Sequence, residues 1–293
     1  AALGNTFTHI TQPSIELAKM MVEDVPCADK VRFTNSGTEA VILALRLVRA
    51  HTAKNKILKF EGAYHGSDET GVTSLFPKQM LDFPTPEPTS AGVLDVDNLL
   101  LVAPYNDLQT THQIIERYKH EIAAVIIEPL QRCIPPEEGF LEGVRRICTN
   151  NDILLIFDEV VTGFRLAYGG AQEYYQVVPD LCVLGKVLGG GFPLAAVAGR
   201  SEIMACFDPT GAAPGKFVPQ IGTFNGNPVA AVAGLATLEL LREPGVYERL
   251  FRTGRQLMSG LQTHLEKAGL AAQVIGEPPV FDVVFSDHEI VNY

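Results

Sequence analysis

The sequence predicts an α/β domain: a mostly parallel β-sheet sandwiched by helices, with a partial small C-terminal α+β domain behind it. Short, wholly apolar runs alternate with longer stretches of helical periodicity. Polar or glycine-rich segments follow directly on several of those runs, which is where open parallel sheets bind their ligands. After residue 226 the alternation stops and two long helical patterns take over.

Apolar residues at helical spacing predict a helix over 39–53, and the run 57–60 predicts a short strand. Residues 99–103 read as another strand, followed by a helix to about residue 118. The runs 122–127, 153–157, 181–184 and 194–198 predict further buried strands, with a helix over 141–149. An Ala/Leu-rich helix over 228–241 and a more charged one over 246–268 precede a strand-like stretch at 279–285. The pattern changes at 226–244, so residues 1–226 are expected to form a large domain without its N-terminal segment. Residues 227–293 are then a linker helix and an incomplete small domain. Segments 67–93 and 208–222 are expected to be long surface loops, which are often functional in compact domains.

With 46% hydrophobic and 19% charged residues, the chain of 293 has the composition of a folded globular protein. Its net charge of -11, with no basic stripe, argues against nucleic acid and anionic membranes as partners. No apolar stretch reaches the roughly 18 residues of a membrane span, and no signal peptide is visible after Ala1. Cys27, Cys133, Cys148, Cys182 and Cys206 are scattered and never spaced as CxxC. That predicts free thiols in a reducing cytoplasm rather than disulfides or zinc. The chain opens without Met and stops at Val291-Asn292-Tyr293 soon after an apolar stretch, so a fragment or a processed product is expected.

Five segments carry candidate chemistry. Asn35-Ser36-Gly37-Thr38-Glu39-Ala40 stands at a helix start, where backbone N–H groups and the dipole suit a phosphate; an ordinary N-cap is the alternative. Tyr64 and His65, between Gly62 and Gly66 just past a strand, can stack on a flat aromatic ligand and bond to it, or pack on their neighbours. Asp158 ends an apolar run, where a buried carboxylate is costly without a cationic partner. A helix cap or a metal ligand is the other reading of Asp158, but no histidine clusters with it and no metal is expected. Lys186 lies among apolar and glycine residues, where an idle ammonium is costly and a Schiff-base lysine is favoured. A phosphate-binding P-loop does not fit, because the three glycines follow the lysine instead of preceding it. Thr223, in Gly222-Thr223-Phe224-Asn225-Gly226-Asn227-Pro228, again offers a hydroxyl at a helix start, or a simple cap.

In this order, NSGTEA, KFEGAYHG, APYND, AAVIIEP, IFDEVVTGFRLAYGGAQEYY, PDLCVLGKVLGGGFPLAAVAGR and GTFNGNP resemble the class III (subgroup II) aminotransferases. These are transferases of fold type I that depend on pyridoxal 5′-phosphate. The resemblance covers residues 20–245 and is strongest to the aminomutase branch. It implies an aspartate aminotransferase-like fold acting on small amino donors and keto or aldehyde acceptors. By resemblance, Lys186 holds the cofactor as a Schiff base and then moves a proton, while Asp158 pairs with the ring nitrogen. Val160 and Tyr64 flank the ring, and Gly37 and Thr38 hold the phosphate beside Ser36. His65 and Glu128 stand next to the cofactor, and Thr223 reaches the phosphate of a neighbouring subunit, which implies a homodimer. GTFNGNP departs from the aminomutase pattern GTLSGNP, and 208–222 diverges where a gating loop would lie. Plain transaminase, aminomutase and a non-catalytic cofactor-binding fragment all stay open.

Overall fold

The computed structural model describes residues 10–79, 81–88 and 91–293; the loop-like start at Ala1 lies outside them. Its centre is a seven-stranded sheet of order β1-β7-β6-β5-β4-β2-β3. The strands are β1 Lys30–Thr34, β2 Lys56–Phe60, β3 Leu100–Ala103, β4 Ile122–Ile127, β5 Leu154–Glu159, β6 Leu181–Leu184 and β7 Ala195–Gly199. Strands β2 to β6 pair parallel with one another, and β7 runs antiparallel to both β6 and β1. The mostly parallel sheet expected from the apolar runs is therefore present.

Side chains alternate across a strand, so each face of this sheet has its own core. One joins Leu155, Phe157, Leu58 and Val125 to α1 (Gln12–Asp24), α4 (Leu108–Tyr118) and α5 (Phe140–Asn150). The other joins Ile156, Val183, Ala124 and Val197 to α2 (Gly37–Thr52) and the short α7 (Ser201–Met204). Strands buried on both faces have no polar side to show, which is why β4 is apolar throughout.

Two elements near the N-terminus were not expected, α1 and β1. Strand β1 reads KVRFT and exposes Lys30 and Arg32, so it follows the alternating pattern of an edge instead of an apolar run. Helix α1 buries one stripe, Leu17 and Met21, which meets α8 (Pro228–Arg242).

The expectation for 67–93 needs correction. Its first part is no surface loop: it folds inward as a single helical turn, α3 (Glu69–Val72), with Thr70, Gly71, Thr73, Ser74 and Leu75 buried. The physical reason is a buried ammonium beneath it, described below. Residues 80, 89 and 90 of that segment lie outside the described residues.

Asn227 caps α8 through its side-chain oxygen, which accepts the Ala230 N–H at 2.9 Å, and Pro228 fits the first turn because its missing N–H is not needed there. The helix lies against the 3-10 turn Lys186–Gly189. Gly234 permits that approach: a Cβ there would stand 2.6 Å from Leu188 O and 3.0 Å from Leu17 Cδ2. After the one-turn α6 (Ala171–Tyr174) and α8, the long α9 (Val246–Lys267) leads to a hairpin of β8 (Gln273–Glu277) and β9 (Val280–Val284). Strand β9 matches the expected stretch at 279–285; β8 was not expected. Replacing Gly234 with Val is expected to cost about 1–3 kcal/mol by pushing α8 off the Lys186 turn. Urea denaturation checks this, and an unchanged midpoint contradicts it.

Candidate active site

The carboxyl ends of β2, β4, β5 and β6 open onto a cleft of about 540 Å³. Its lining includes Ser36, Gly37, Thr38, Tyr64, His65, Glu128, Asp158, Val160 and Lys186. Nine of the ten site residues expected from sequence thus meet in one place. The tenth, Thr223, lies in a separate groove with Ile15, Phe33 and Ile221.

Asp158 and Glu159 end β5 as neighbours but point to opposite faces, as strand geometry requires. Asp158 faces the cleft at 6% exposure, on the side of α2. His65 Nδ1 lies 2.8 Å from Asp158 Oδ2, the imidazole N–H donating to the carboxylate, and the Val160 N–H donates to Oδ1 at 3.2 Å. His65 is thus seated beside Asp158, while its Nε2 is buried without a partner among the described residues. Glu159 is fully buried on the other face and accepts from Thr162 Oγ1 (3.0 Å), the Ala171 N–H (2.5 Å) and Gln172 Nε2 (2.9 Å). Burial raises its carboxyl, and its donors place it as a clamp on the 162–172 segment.

Helix α2 begins at Gly37 with Ser36 as cap, whose Oγ accepts the Glu39 N–H at 3.2 Å. The N–H groups of Gly37 and Thr38, first in the helix, have no acceptor among the described residues. Gly66 brings the Tyr64–His65 loop onto this helix start. It has φ +104°, and a Cβ would stand 2.9 Å from Thr38 Cα. Tyr64 donates its N–H to Glu128 Oε1 at 2.7 Å, and its ring stays partly exposed. Burial also raises the Glu128 carboxyl, opposed by His65.

Lys186 differs from its expected surroundings. It was expected in apolar company, yet its side chain is exposed to the cleft. The cause is local: Lys186 takes φ +45°, a left-handed conformation unusual without glycine, and starts a 3-10 turn that aims it away from the buried Leu184 and Leu188.

The buried lysine is Lys59, which was not expected from the sequence. At 0% exposure in β2, its Nζ donates to the carbonyls of Ala63 (3.0 Å), Thr70 (3.3 Å), Gly71 (3.1 Å) and Thr73 (2.7 Å). Burial pushes its ammonium down to about 7, against the pull of Glu128, Asp68 and Asp158. The signal was available: Lys59 interrupts the apolar run of β2. Nor does the sequence mark Gln131, Arg132, Cys133 or Asp282 as site residues; of these Arg132, Cys133 and Asp282 line the cleft, and they come from a turn and from β9.

Pyridoxal phosphate, implied by resemblance, fits these donors. The free N–H pair at the start of α2 suits its phosphate, and the Asp158 carboxylate suits its ring nitrogen. His65 Nε2, on a residue lining the cleft, has no partner among the described residues, and such an orphaned atom suits a polar ligand. No group of His, Cys, Asp and Glu able to hold a metal occurs among the described residues.

Fold and cleft together define a class: the fold type I, pyridoxal-phosphate-dependent transferases. The chain belongs to the class-III aminotransferase family, whose model matches residues 3–284. It is 45% identical over 99% of its length to a glutamate-1-semialdehyde 2,1-aminomutase of Methanocaldococcus jannaschii, and covers 67% of that protein. Among solved structures it is similar to an omega-transaminase from Sphaerobacter thermophilus, with a TM-score of 0.93 and 40% identity. That match covers 100% of this chain and 67% of the other. A transaminase with PLP bound has a TM-score of 0.88 and 33% identity, over 96% of this chain and 65% of the other. The chain thus spans about two thirds of the length of these relatives.

Replacing Lys59 with Met strands its four carbonyl acceptors. A loss of about 3–5 kcal/mol is expected, the range for breaking up a buried charged partnership. Urea denaturation of the apoprotein measures it, and a loss below about 1 kcal/mol contradicts the assignment.

Proposed function

We propose that this chain holds pyridoxal 5′-phosphate in the cleft and moves an amino group between an amino donor and a keto or aldehyde acceptor. One observation carries the reading: Lys186, Asp158 and the free N–H pair of Gly37 and Thr38 share a single cleft. Bound there, the cofactor supplies an electron sink for the pair left behind when the substrate loses a proton.

The chain's own residues do the rest. The Asp158 carboxylate, oriented by the His65 N–H, holds a proton on the ring nitrogen. The Lys186 amine, which would anchor the cofactor, would carry a proton between the substrate's Cα and C4′ of the cofactor. Gly37 and Thr38, with the cap Ser36 beside them, bind the phosphate at the positive end of α2. Val160 and Tyr64, which line the cleft, would flank the ring, and Glu128 fixes the Tyr64 main chain. Residues 1–226 form the cofactor-binding domain in this reading, and 227–293 a linker helix with part of a small domain.

Thr223 serves the neighbouring subunit's site in a homodimer. Its place in a groove other than its own cleft supports this, as does the exposed apolar surface beside it, Ile221 at 96% and Phe224 at 53%. No helix among the described residues is long and apolar enough to cross a membrane. All five cysteines are free thiols, which suits the cytoplasm.

A second reading is favoured by the relative from Methanocaldococcus jannaschii, a glutamate-1-semialdehyde 2,1-aminomutase. In it both amino donor and acceptor lie within one substrate molecule. Supplying glutamate-1-semialdehyde alone separates the two. Formation of 5-aminolevulinate without a second substrate selects the aminomutase; turnover only with a separate donor and acceptor selects the transaminase. Cofactor binding with neither reaction selects the non-catalytic fragment.

Borohydride treatment of the holoenzyme is expected to fix the cofactor's mass on the peptide containing Lys186. Mass spectrometry that finds the label elsewhere, or nowhere, refutes the assignment. Lys186→Ala and Asp158→Asn are each expected to slow amino transfer by about 10²–10⁴-fold, the usual reach of a proton-transfer group. Stopped-flow absorbance of a single half-reaction measures this; near-normal rates in either variant speak against the role of the residue replaced.

A further inference from the structure

The cleft holds a second cation that amino transfer leaves without a task. Among the described residues two Lys or Arg side chains line it, Lys186 and Arg132. Arg132 stands at the tip of a tight turn between β4 and α5. The turn is closed by the Gln131 N–H donating to Ile134 O (3.1 Å) and the Ile134 N–H donating to Gln131 O (2.7 Å). Both tip residues are left-handed without being glycine, Arg132 at φ +50° and Cys133 at φ +69°. Such a conformation persists only where the surroundings impose it, and it recurs at functional sites.

The surroundings do impose it. Gln131 is 1% exposed, and its side-chain amide donates to Glu61 O at 2.7 Å. On the other side, β8 packs on the turn so closely that a Cβ on Gly276 would lie 3.3 Å from Cys133 Cβ. The root of Arg132 is therefore held in place, while its side chain is exposed.

The guanidinium forms no ion pair among the described residues. Its carbon lies 6.0 Å from the centroid of the Phe76 ring. A cation–π contact at this distance engages no carboxylate, so the N–H fork, whose geometry matches a carboxylate, has no acidic partner among the described residues. The acids that share the cleft do not fill the fork: Asp158 is held by His65, Glu128 by the Tyr64 N–H, and Asp282 forms no ion pair among the described residues.

The geometry points to Arg132 as the residue that binds a carboxylate of the amino substrate, so that the site takes amino acids in preference to simple amines. This rests on the amino-transfer reading above.

The test compares holoenzyme with Arg132, Arg132→Gln and Arg132→Lys by calorimetric titration with benzoate and with its uncharged counterpart benzamide. Arg132→Gln is expected to weaken benzoate binding by about ten- to a hundred-fold, as for loss of a charged hydrogen-bond pair. Arg132→Lys, which keeps the charge and loses the fork, is expected to weaken it less, and benzamide is expected to bind all three alike. In steady-state kinetics Arg132→Gln raises KM for alanine, 3-aminobutyrate or 4-aminobutyrate, whichever the wild type accepts, and leaves KM for 2-aminobutane unchanged. Equal benzoate affinity in wild type and Arg132→Gln overturns the proposal, as does no saturable benzoate binding or a matching loss for benzamide. Failure of the amino-transfer reading has a separate signature: the wild type accepts no amino donor at all, which removes this proposal's substrate with it.

Discussion

One buried ammonium organises the ligand end of this protein. Lys59 has no contact with water, and a charge in that position is tolerable only because four main-chain carbonyls turn toward it. Those carbonyls belong to residues 63–73, so satisfying the charge pulls that segment inward and over the end of β2. The same folding places the Tyr64 N–H on Glu128 and His65 on Asp158. A cleft of separate polar groups thereby becomes one connected wall, in which each carboxylate has a donor and each donor a fixed origin. The low dielectric that makes Lys59 costly alone also strengthens these contacts once they are complete.

The second constraint is the pleat of β5. Asp158 and Glu159 are adjacent in sequence, and the alternation of the strand sends them to opposite faces with unrelated tasks. Glu159 ties down the segment 162–172 from the side of the sheet that carries α1 and α5. Asp158 emerges on the side of α2, where the helix start leaves N–H groups free. Because the strands are parallel, the ends of β2, β4 and β5 reach the same edge, and residues far apart in sequence converge there.

Much of the site was legible in the residues themselves. An apolar run ending in acid, small residues at a helix start, and an aromatic pair between glycines each identify a local environment without reference to any contact. The resemblance to class III aminotransferases rests on those same stretches. A lysine in apolar company is expected to be buried and occupied, and Lys59 fits that description better than Lys186 does. Both lysines sit among apolar neighbours in sequence; the difference is backbone direction. Lys59 continues a strand into the core, whereas Lys186 turns left-handed and leaves it. Strand β1 was hidden for a related reason, since an edge strand alternates in polarity and lacks the apolar run that marks its central neighbours.

The sequence by itself determined the class of fold, the succession of the buried strands along the chain and nine of the residues that line the cleft. Those features depend on local periodicity and on which side chains tolerate water, and both are written along the chain. Tertiary structure decided three things that periodicity cannot carry. It folded 67–75 inward around Lys59, it separated Thr223 from its own cleft, and it brought the Arg132 turn and Asp282 of β9 to the cleft wall. Each depends on contacts between segments distant in sequence. Their free energy comes from satisfying buried charge and closing surfaces together, and it exists only after the chain has folded.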